Sequence, residues 1–332
     1  MYTDKFATKP GELKWSVEIL PLELGKTVKD LKPLVEPFLE YKPIGIDVTY
    51  HQEEMVYTKG PNGTEIGHPE TLKPGTITVC AVLSGWYKEK YGVDIIPHLT
   101  CGGFTGKECE EALIECYTGG LDTILVLRGD PPKGKKRFIP QKDKEGNIIG
   151  HHYASQFVEQ VANLRGGIYY YSKKEDKPLI FCIGVAGYPD KHRRAPNMAY
   201  DLEMLKNKVD KGAHYIVTQM VFDTKKYVSF VEAARRIGVT VPIIPGLKPI
   251  TRKNQLFDIP DDFSVEMPHE LVKEVLAHDD KDVPAIGLEW CVQQCKELLQ
   301  WQGDPLGRPV PALHFYSMNR GDEILDVLKR LM

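Results

Sequence analysis

Eight short apolar runs, spread along the whole chain, each finish in a polar or glycine-rich signature. No other feature of the sequence restricts the fold as strongly. In order they are WSVEIL (15–20), IGIDVTYH (44–51), IIPHLTC (95–101), TILVLRGD (123–130), IFCIGVAGYP (180–189), YIVTQ (215–219), PIIPGLKP (242–249) and ALHFYSMNR (312–320). Such runs, separated by stretches of helical periodicity, predict parallel strands joined by crossover helices. Eight of them predict a closed (β/α)8 TIM barrel, whose active site lies at the C-terminal ends of its strands. Those ends carry Glu18, Thr49, His98, Arg128, Asp130, Tyr188, Gln219 and Tyr316. Closure is expected to bring them to one mouth.

A barrel of this kind uses the whole chain of 332 residues as a single domain, with an insertion after strand 2 and an excursion after strand 4. The formal net charge of −3 offers no footprint for nucleic acid or an anionic membrane. No apolar stretch approaches the roughly 20 residues that span a bilayer, and the N-terminus lacks the apolar core of a signal peptide. Seven cysteines with no C-x-x-C pair point to a reducing compartment. Cys291 and Cys295 on one predicted helix read as small buried side chains rather than metal ligands. The expectation is a soluble cytoplasmic enzyme.

Along the chain, residues 26–41 predict the first helix. The stretch TKGPNGTEIGHPE (58–70) is polar and turn-rich and reads as a loop over the barrel mouth. Residues 71–91 predict a helix. Thr105 with Glu108 forms a capping-box pattern for the next, which Gly119 and Gly120 end. The basic excursion after RGDPP turns hairpin-like around Glu145-Gly146-Asn147 and reads as a solvated segment. Further helices are predicted over 153–171, 198–211, 225–237, 268–278, 284–301 and 320–332, whereas 250–266 reads as irregular.

Several strand ends carry residues suited to chemistry. Glu18 lies between apolar neighbours; partial burial would raise its pKa and let it act as a general acid. Its plain alternative is a solvated or ion-paired glutamate. Arg128-Gly129-Asp130 combines a bidentate cation, a glycine that admits close approach and an acceptor for heterocycle N–H groups; the alternative is a surface Arg–Asp pair at a turn. His98 is a ligand contact or a structural histidine. No second histidine stands at metal-ligand spacing, so no metal site is expected. Asp201 and Lys208 share one helix face, either as exposed charges or as grips for hydroxyls and phosphates. The Gln219 amide both donates and accepts, which suits a pterin; otherwise the backbone satisfies it.

Taken together, P-H-L-T-C (97–101), L-R-G-D-P-P (127–132), Y-A-S (153–155), A-x-Y-P-x-x-H (186–192), D-L-x-x-L-K-x-K-V-D-x-G-A (201–213), T-Q-x-x-F-D (218–223), P-G-L-x-P (245–249) and H-F-Y-S-M-N-R (314–320) resemble the methylenetetrahydrofolate reductase family, in the family's order. The resemblance implies a flavin barrel of the bacterial type. It would reduce 5,10-methylenetetrahydrofolate to 5-methyltetrahydrofolate in one-carbon and methionine metabolism, with NADH or NADPH and the folate using non-covalent FAD in turn. It implies that Thr49, Tyr50, His98, Arg128, Gly129, Asp130, Tyr153, Ala154, Tyr188, His192, Asp201 and Lys208 line the FAD site. Glu18 would protonate the folate and open its five-membered ring. Asp130 and Gln219 would hold the pterin, and Arg320 would meet the benzoyl-glutamate end.

The chain departs from the family pattern in Ile19-Leu20-Pro21, where phenylalanine is usual, and in Arg193-Arg194, where an acidic residue is common. It also lacks a clear aromatic in I-T-R-K-N (250–254). It ends soon after the barrel, so no inhibition by adenosylmethionine is expected. Two competing readings are a Schiff-base lyase or aldolase barrel using Lys248, for which nothing in the sequence removes water from that lysine, and a non-catalytic flavin-binding partner subunit. The sequence does not decide between NADH and NADPH or a protein electron donor. It leaves the oligomeric state, a homo-oligomer included, open.

Overall fold

Alternation within the first apolar run sets the frame of the molecule. In WSVEI, Trp15 and Val17 turn to one face and Ser16 and Glu18 to the other. Trp15 packs edge-on against Phe38 and Phe315, with centroids 6.0 and 6.2 Å away. Its Nε1 donates to Tyr41 O at 2.8 Å. Ser16 Oγ instead hydrogen-bonds His314 Nδ1 at 2.8 Å. One face of the strand is therefore apolar packing and the other a polar lining.

A computed structural model of the chain describes residues 1–6, 9–22, 25–50, 55–59, 65–69, 75–130, 140–170, 176–318 and 320–332. The elements run β1 (Trp15–Ile19), a 3-10 turn (Val28–Leu31), α1 (Lys32–Leu39), β2 (Gly45–Val48), β3 (Met55–Lys59), β4 (Glu65–Pro69), α2 (Thr76–Tyr91), β5 (Asp94–Thr100), α3 (Gly106–Thr118), β6 (Thr123–Leu127), α4 (Ala154–Leu164), β7 (Cys182–Gly187), α5 (Met198–Asp210), β8 (Tyr215–Met220), α6 (Thr224–Arg236), β9 (Ile243–Leu247), α7 (Gln255–Phe263), α8 (His269–Ala277), α9 (Val283–Gln300), β10 (Leu313–Tyr316) and α10 (Gly321–Leu331). Eight strands close a barrel in the order β1-β10-β9-β8-β7-β6-β5-β2. Each of the eight apolar runs supplies one of them, so the (β/α)8 expectation holds. No described helix is long and apolar enough to cross a membrane.

The chain divides into two compact units. One comprises Met1–Ile19, Leu34–Ile46 and Gly184–Met332; the other comprises Leu20–Pro33 and Asp47–Ile183. In the second unit, Val79, Leu83, Leu113, Cys116, Ile124, Phe157 and Val161 are buried core residues. Truncating any of the larger ones to alanine removes about 2–5 kcal/mol of stability. The capping box at the start of α3 forms as its sequence pattern predicts: Glu108 N donates to Thr105 Oγ1 at 3.1 Å and Thr105 N to Glu108 Oε2 at 2.7 Å. The hairpin-like turn also forms, with Asp143 Oδ1 accepting from Glu145 N and Asn147 N; residues 131–139 of that excursion lie outside the described residues.

Three expectations are corrected. Of the segment read as a polar loop over 58–70, Thr58, Lys59 and Glu65–Pro69 belong to an antiparallel ladder of β3 and β4, in register from Met55↔Pro69 to Lys59↔Glu65; residues 60–64 and 70 lie outside the described residues. The β-forming residues of MVYTK (55–59), which run into the start of that segment, supply its first strand. The segment 250–266, read as irregular, contains α7 despite Pro260 within it. Leu256 and Ile259 bury into a cluster with Met220, Phe222, Ile250, Val265, Leu271, Val275 and Val283, with Phe263 packed against it. That burial outweighs the hydrogen bond Pro260 removes. The helix expected over 153–171 ends at Leu164, where Gly166 and Gly167 interrupt its periodicity.

Candidate active site

Two sets of strand ends, one in each unit, carry the residues singled out from the sequence. The first lies at the ends of β2, β5 and β6. His98 and Asp47 are both buried, with His98 Nε2 3.4 Å from Asp47 Oδ1. Thr49 is buried too, and its carbonyl accepts from Thr76 Oγ1 at 2.8 Å, which ties the start of α2 to the end of β2. Tyr50 packs edge-on against Phe104 at 5.9 Å. Beyond the ends of β5 and β6 the ladder continues: Cys101 N donates to Leu127 O at 3.1 Å and Gly102 N to Arg128 O at 2.8 Å. These bonds hold Arg128-Gly129-Asp130 against Thr100. Gly129 has φ +82°, and a Cβ there would lie 3.2 Å from Thr100 Cγ2. Conformation and space both call for glycine. Asp130 is exposed.

Asp47 Oδ2 apart, three buried polar atoms in this set have no hydrogen-bond partner among the described residues: Thr49 Oγ1, Thr100 Oγ1 and Arg128 Nε. A buried orphan of this kind costs about 1–3 kcal/mol. Three at neighbouring strand ends leave polar capacity open there, and two hydroxyls with a guanidinium nitrogen match in chemistry the heteroatom-rich edge of a flavin. Thr100 escaped the sequence reading because a threonine beside a cysteine carries no distinctive signal. Asp47 was missed because it sits inside an apolar run. At the start of α4, Tyr153 N and His152 N both donate to Gln156 Oε1, at 3.2 and 2.8 Å. The Tyr153 ring is 56% exposed and Ala154 is half-buried.

The second set lies in the other unit. After β7, Tyr188 meets His192 edge-on at 4.7 Å. His192 N donates to Asp201 Oδ2 at 2.9 Å, and Arg194 N donates to His192 Nδ1 at 3.1 Å. Lys191 takes the left-handed conformation, φ 74°. Its ammonium donates to His192 O at 3.1 Å and Ala195 O at 2.7 Å. Lys208 donates to Ala186 O and lies 5.9 Å from the Tyr188 ring centre. Burial pushes the Asp201 carboxyl up, opposed by its bond from His192 N and by Lys208 and Lys191. Asp201 therefore holds the loop after β7, and Lys208 holds the end of β7 itself.

At the ends of β8, β9, β10 and β1, Gln219 Oε1 accepts from Met220 N at 2.9 Å. Its Nε2 makes no hydrogen bond among the described residues. Glu18 is half-buried and stands opposite Tyr316 in the ladder. Arg320 is mostly exposed, 3.8 Å from Glu323. Lys248, expected to be solvated, is 2% exposed, and burial lowers its pKa. Its neighbours Leu247 and Ile250 are themselves buried, a consequence of packing that no local pattern announces. All seven cysteines are free and buried; burial pushes the Cys101 and Cys116 thiols up to about 12. Among the described residues no group of three or more His, Cys, Asp or Glu side chains is placed to hold a metal ion.

The family model for methylenetetrahydrofolate reductase matches residues 4–332. The chain belongs to this family. A Caenorhabditis elegans relative, a probable methylenetetrahydrofolate reductase (NADPH), is 28% identical over 96% of this chain. The chain spans 42% of that relative's length. The 5,10-methylenetetrahydrofolate reductase of Salmonella typhimurium is 27% identical over 94% of this chain and 88% of its own. Among solved structures, a Clostridium thermocellum protein described as binding two copies of 5-methyl-5,6,7,8-tetrahydrofolic acid has a TM-score of 0.57 at 14% identity. The alignment covers 99% of this chain and 96% of that one, a likeness of fold. The matched span includes the residues of both sets.

Proposed function

We propose that residues 1–332 act as one catalytic domain that reduces 5,10-methylenetetrahydrofolate to 5-methyltetrahydrofolate, with NADH or NADPH as donor and FAD as the carrier in a ping-pong cycle. The observation that carries this reading is the family match over 4–332; the three orphaned polar atoms support it. Bound FAD supplies hydride transfer, and the protein's part is orientation and charge.

Thr49, Thr100 and Arg128 would hold the polar edge of the flavin, with Tyr50, His98, Gly129, Tyr153 and Ala154 around it. Tyr188, His192, Asp201 and Lys208 would hold the remainder of the dinucleotide. Lys191, locked onto two carbonyls of its own loop, keeps the backbone there in a shape that presents His192. Gln219 Nε2 is available to donate to a pterin, Asp130 to accept from it, and Arg320 to meet the carboxylates of the benzoyl-glutamate end. Glu18 gives a proton to the folate ring nitrogen that leaves. The C–N bond to the bridging methylene breaks, its electron pair stays on that nitrogen, and the N5 iminium so formed is what accepts hydride. General acid catalysis of this kind contributes about 10²–10⁴-fold.

Anaerobic mixing of the purified protein with each nicotinamide, followed by methylenetetrahydrofolate, tests the reading. Flavin bleaching by NADH or NADPH and recovery of colour on adding the folate is the expected result. Protein that takes up no flavin, or reduced flavin that the folate leaves bleached, would overturn it. The donor is read from the same experiment; the relatives' names include both a probable NADPH enzyme and NADH enzymes.

The burial of Lys248 gives the Schiff-base reading one point in its favour. Borohydride with pyruvate or a simple aldehyde, followed by mass spectrometry, decides it. The absence of an adduct on Lys248 removes the lyase reading.

A further inference from the structure

Tyr316, the last residue of β10, is tied to three other strands. Its hydroxyl donates to Thr218 O on β8 at 2.8 Å. Its ring passes over β9, where a Cβ added to Gly246 would lie 2.5 Å from Tyr316 Cε2. Any side chain at 246 would displace the ring. In the ladder it stands opposite Glu18 on β1. The following residue, Ser317, donates both its N–H at 3.2 Å and its Oγ at 2.6 Å to Glu18 O. Thr218 is held in turn, since its Oγ1 accepts from Gly246 N at 2.9 Å and donates to Gln219 O at 2.8 Å. The Tyr316 side chain and the adjoining Ser317 together therefore connect the main chain of Glu18 with the main chain next to Gln219, reaching across β9 to do so.

Lys248 completes the arrangement. It is 2% exposed, and its Nζ donates to Tyr316 O at 3.4 Å. That is its one hydrogen bond among the described residues, and no carboxylate stands within ion-pair distance of it. A lysine buried on those terms destabilises the fold by itself, so its contact with the end of β10 is its visible use. The charged groups around it are Glu323, Arg320 and Arg252.

We infer that Tyr316 is a positioning residue, braced by Lys248, that sets the Glu18 carboxyl at a fixed spacing from the Gln219 amide. The inference rests on the reaction proposed above, in which those two side chains address the same folate. It adds that the proton donor and the pterin grip are spaced by this cross-strand tie rather than by the ladder alone. Tyr316→Phe keeps the ring over Gly246 and removes the hydroxyl that bonds Thr218 O. Lys248→Met keeps the bulk and removes the donor to Tyr316 O; Lys248→Arg keeps a donor.

The experiment measures the two half-reactions of the FAD-loaded protein by rapid mixing, together with 5-methyltetrahydrofolate affinity by calorimetry and the melting temperature. In Tyr316→Phe, flavin reoxidation at saturating methylenetetrahydrofolate should slow about tenfold or more, since sub-ångström misplacement of reacting groups is costly. Nicotinamide-driven flavin reduction should stay within about twofold, and product affinity within about threefold. Lys248→Met should show the same split to a smaller degree, and Lys248→Arg should recover most of the rate. If Tyr316→Phe fails to fold, the two Lys248 variants decide. Equal slowing of both half-reactions would mean a general structural role and overturns the inference, as does no slowing of either in a protein whose wild type turns over. A wild type that leaves methylenetetrahydrofolate unreduced instead removes the assigned reaction, and this inference with it.

Discussion

At the ends of β2, β5 and β6, Thr49 Oγ1, Thr100 Oγ1 and Arg128 Nε are buried without partners. At the ends of β8, β9, β10 and β1, by contrast, Thr218, Tyr316 and Ser317 each donate a hydroxyl to a main-chain carbonyl. The first region leaves buried polar capacity open, whereas the second, Gln219 Nε2 apart, spends its hydroxyls internally. An open lining costs stability until something fills it, whereas an internally bonded one is rigid whether or not a ligand is present. The contrast suits a region that receives a group from outside and a region that holds a reacting side chain in place.

The largest expected effect tests the rigid region. Glu18→Gln should slow flavin reoxidation by methylenetetrahydrofolate by about 10²–10⁴-fold, because an amide does not protonate the leaving nitrogen. Nicotinamide-driven flavin reduction should be unaffected. Rapid mixing of each half-reaction reads both rates, and an oxidative rate within a few-fold of wild type would refute the role.

Next in size is the open lining. Thr100→Val removes a buried orphan hydroxyl with little change of shape. The flavin-free protein should melt at the same temperature or slightly higher, while flavin binds about tenfold more weakly, the loss of roughly one hydrogen bond of about 1.4 kcal/mol. If flavin affinity is unchanged, the orphaned atoms are not a flavin lining.

Smaller again is the effect of Asp130→Asn. Asp130 is exposed, so water screens its charge and only part of the Coulomb term survives. The flavin midpoint potential should rise by roughly 10–30 mV, with folate bound more weakly. Spectroelectrochemistry and folate titration read the pair of effects.

The smallest prediction concerns a buried histidine bonded through one ring nitrogen. His151 Nε2 lies 2.6 Å from Gln160 Oε1, and Gln160 Nε2 donates to Gly106 O at 2.7 Å. Burial holds the His151 pKa below its ordinary 6.5, partly offset by the Gln160 bond. As pH falls through about 6.5, the unfolded chain gains a proton that the folded chain resists, so stability declines toward the lowered folded pKa. Urea unfolding at pH 7.5 and 5.5 should show that decline, and His151→Asn should flatten it.

Local signals made much of the fold legible. Each of the eight apolar runs holds a barrel strand; Thr105 with Glu108 and Asp143 with Asn147 form the cap and turn their spacing announces. These features depend on contacts within a few residues, which a linear pattern records. Glu18, His98, Arg128 and Gln219 were legible as candidates because they end strands, and in this architecture a strand's last residues face the chemistry. The helix Gln255–Phe263 was not legible, since Pro260 speaks against it locally and the apolar cluster that outweighs Pro260 draws on residues from Met220 to Val283.

The sequence by itself determined the class of fold, the order of the strands along the chain, the family and the identity of most candidate side chains. Only the tertiary structure decided which of them are satisfied and which are left open. Thr100 is an ordinary threonine until Gly129 approaches it and no partner reaches its hydroxyl. Lys248 reads as a solvated lysine until the packing around it excludes water. Tyr316 is one residue of a motif until its hydroxyl crosses to Thr218, 98 positions away in the chain. Burial and hydrogen-bond satisfaction are properties of surroundings assembled from distant segments, and a one-dimensional pattern holds no record of which atoms those segments bring together.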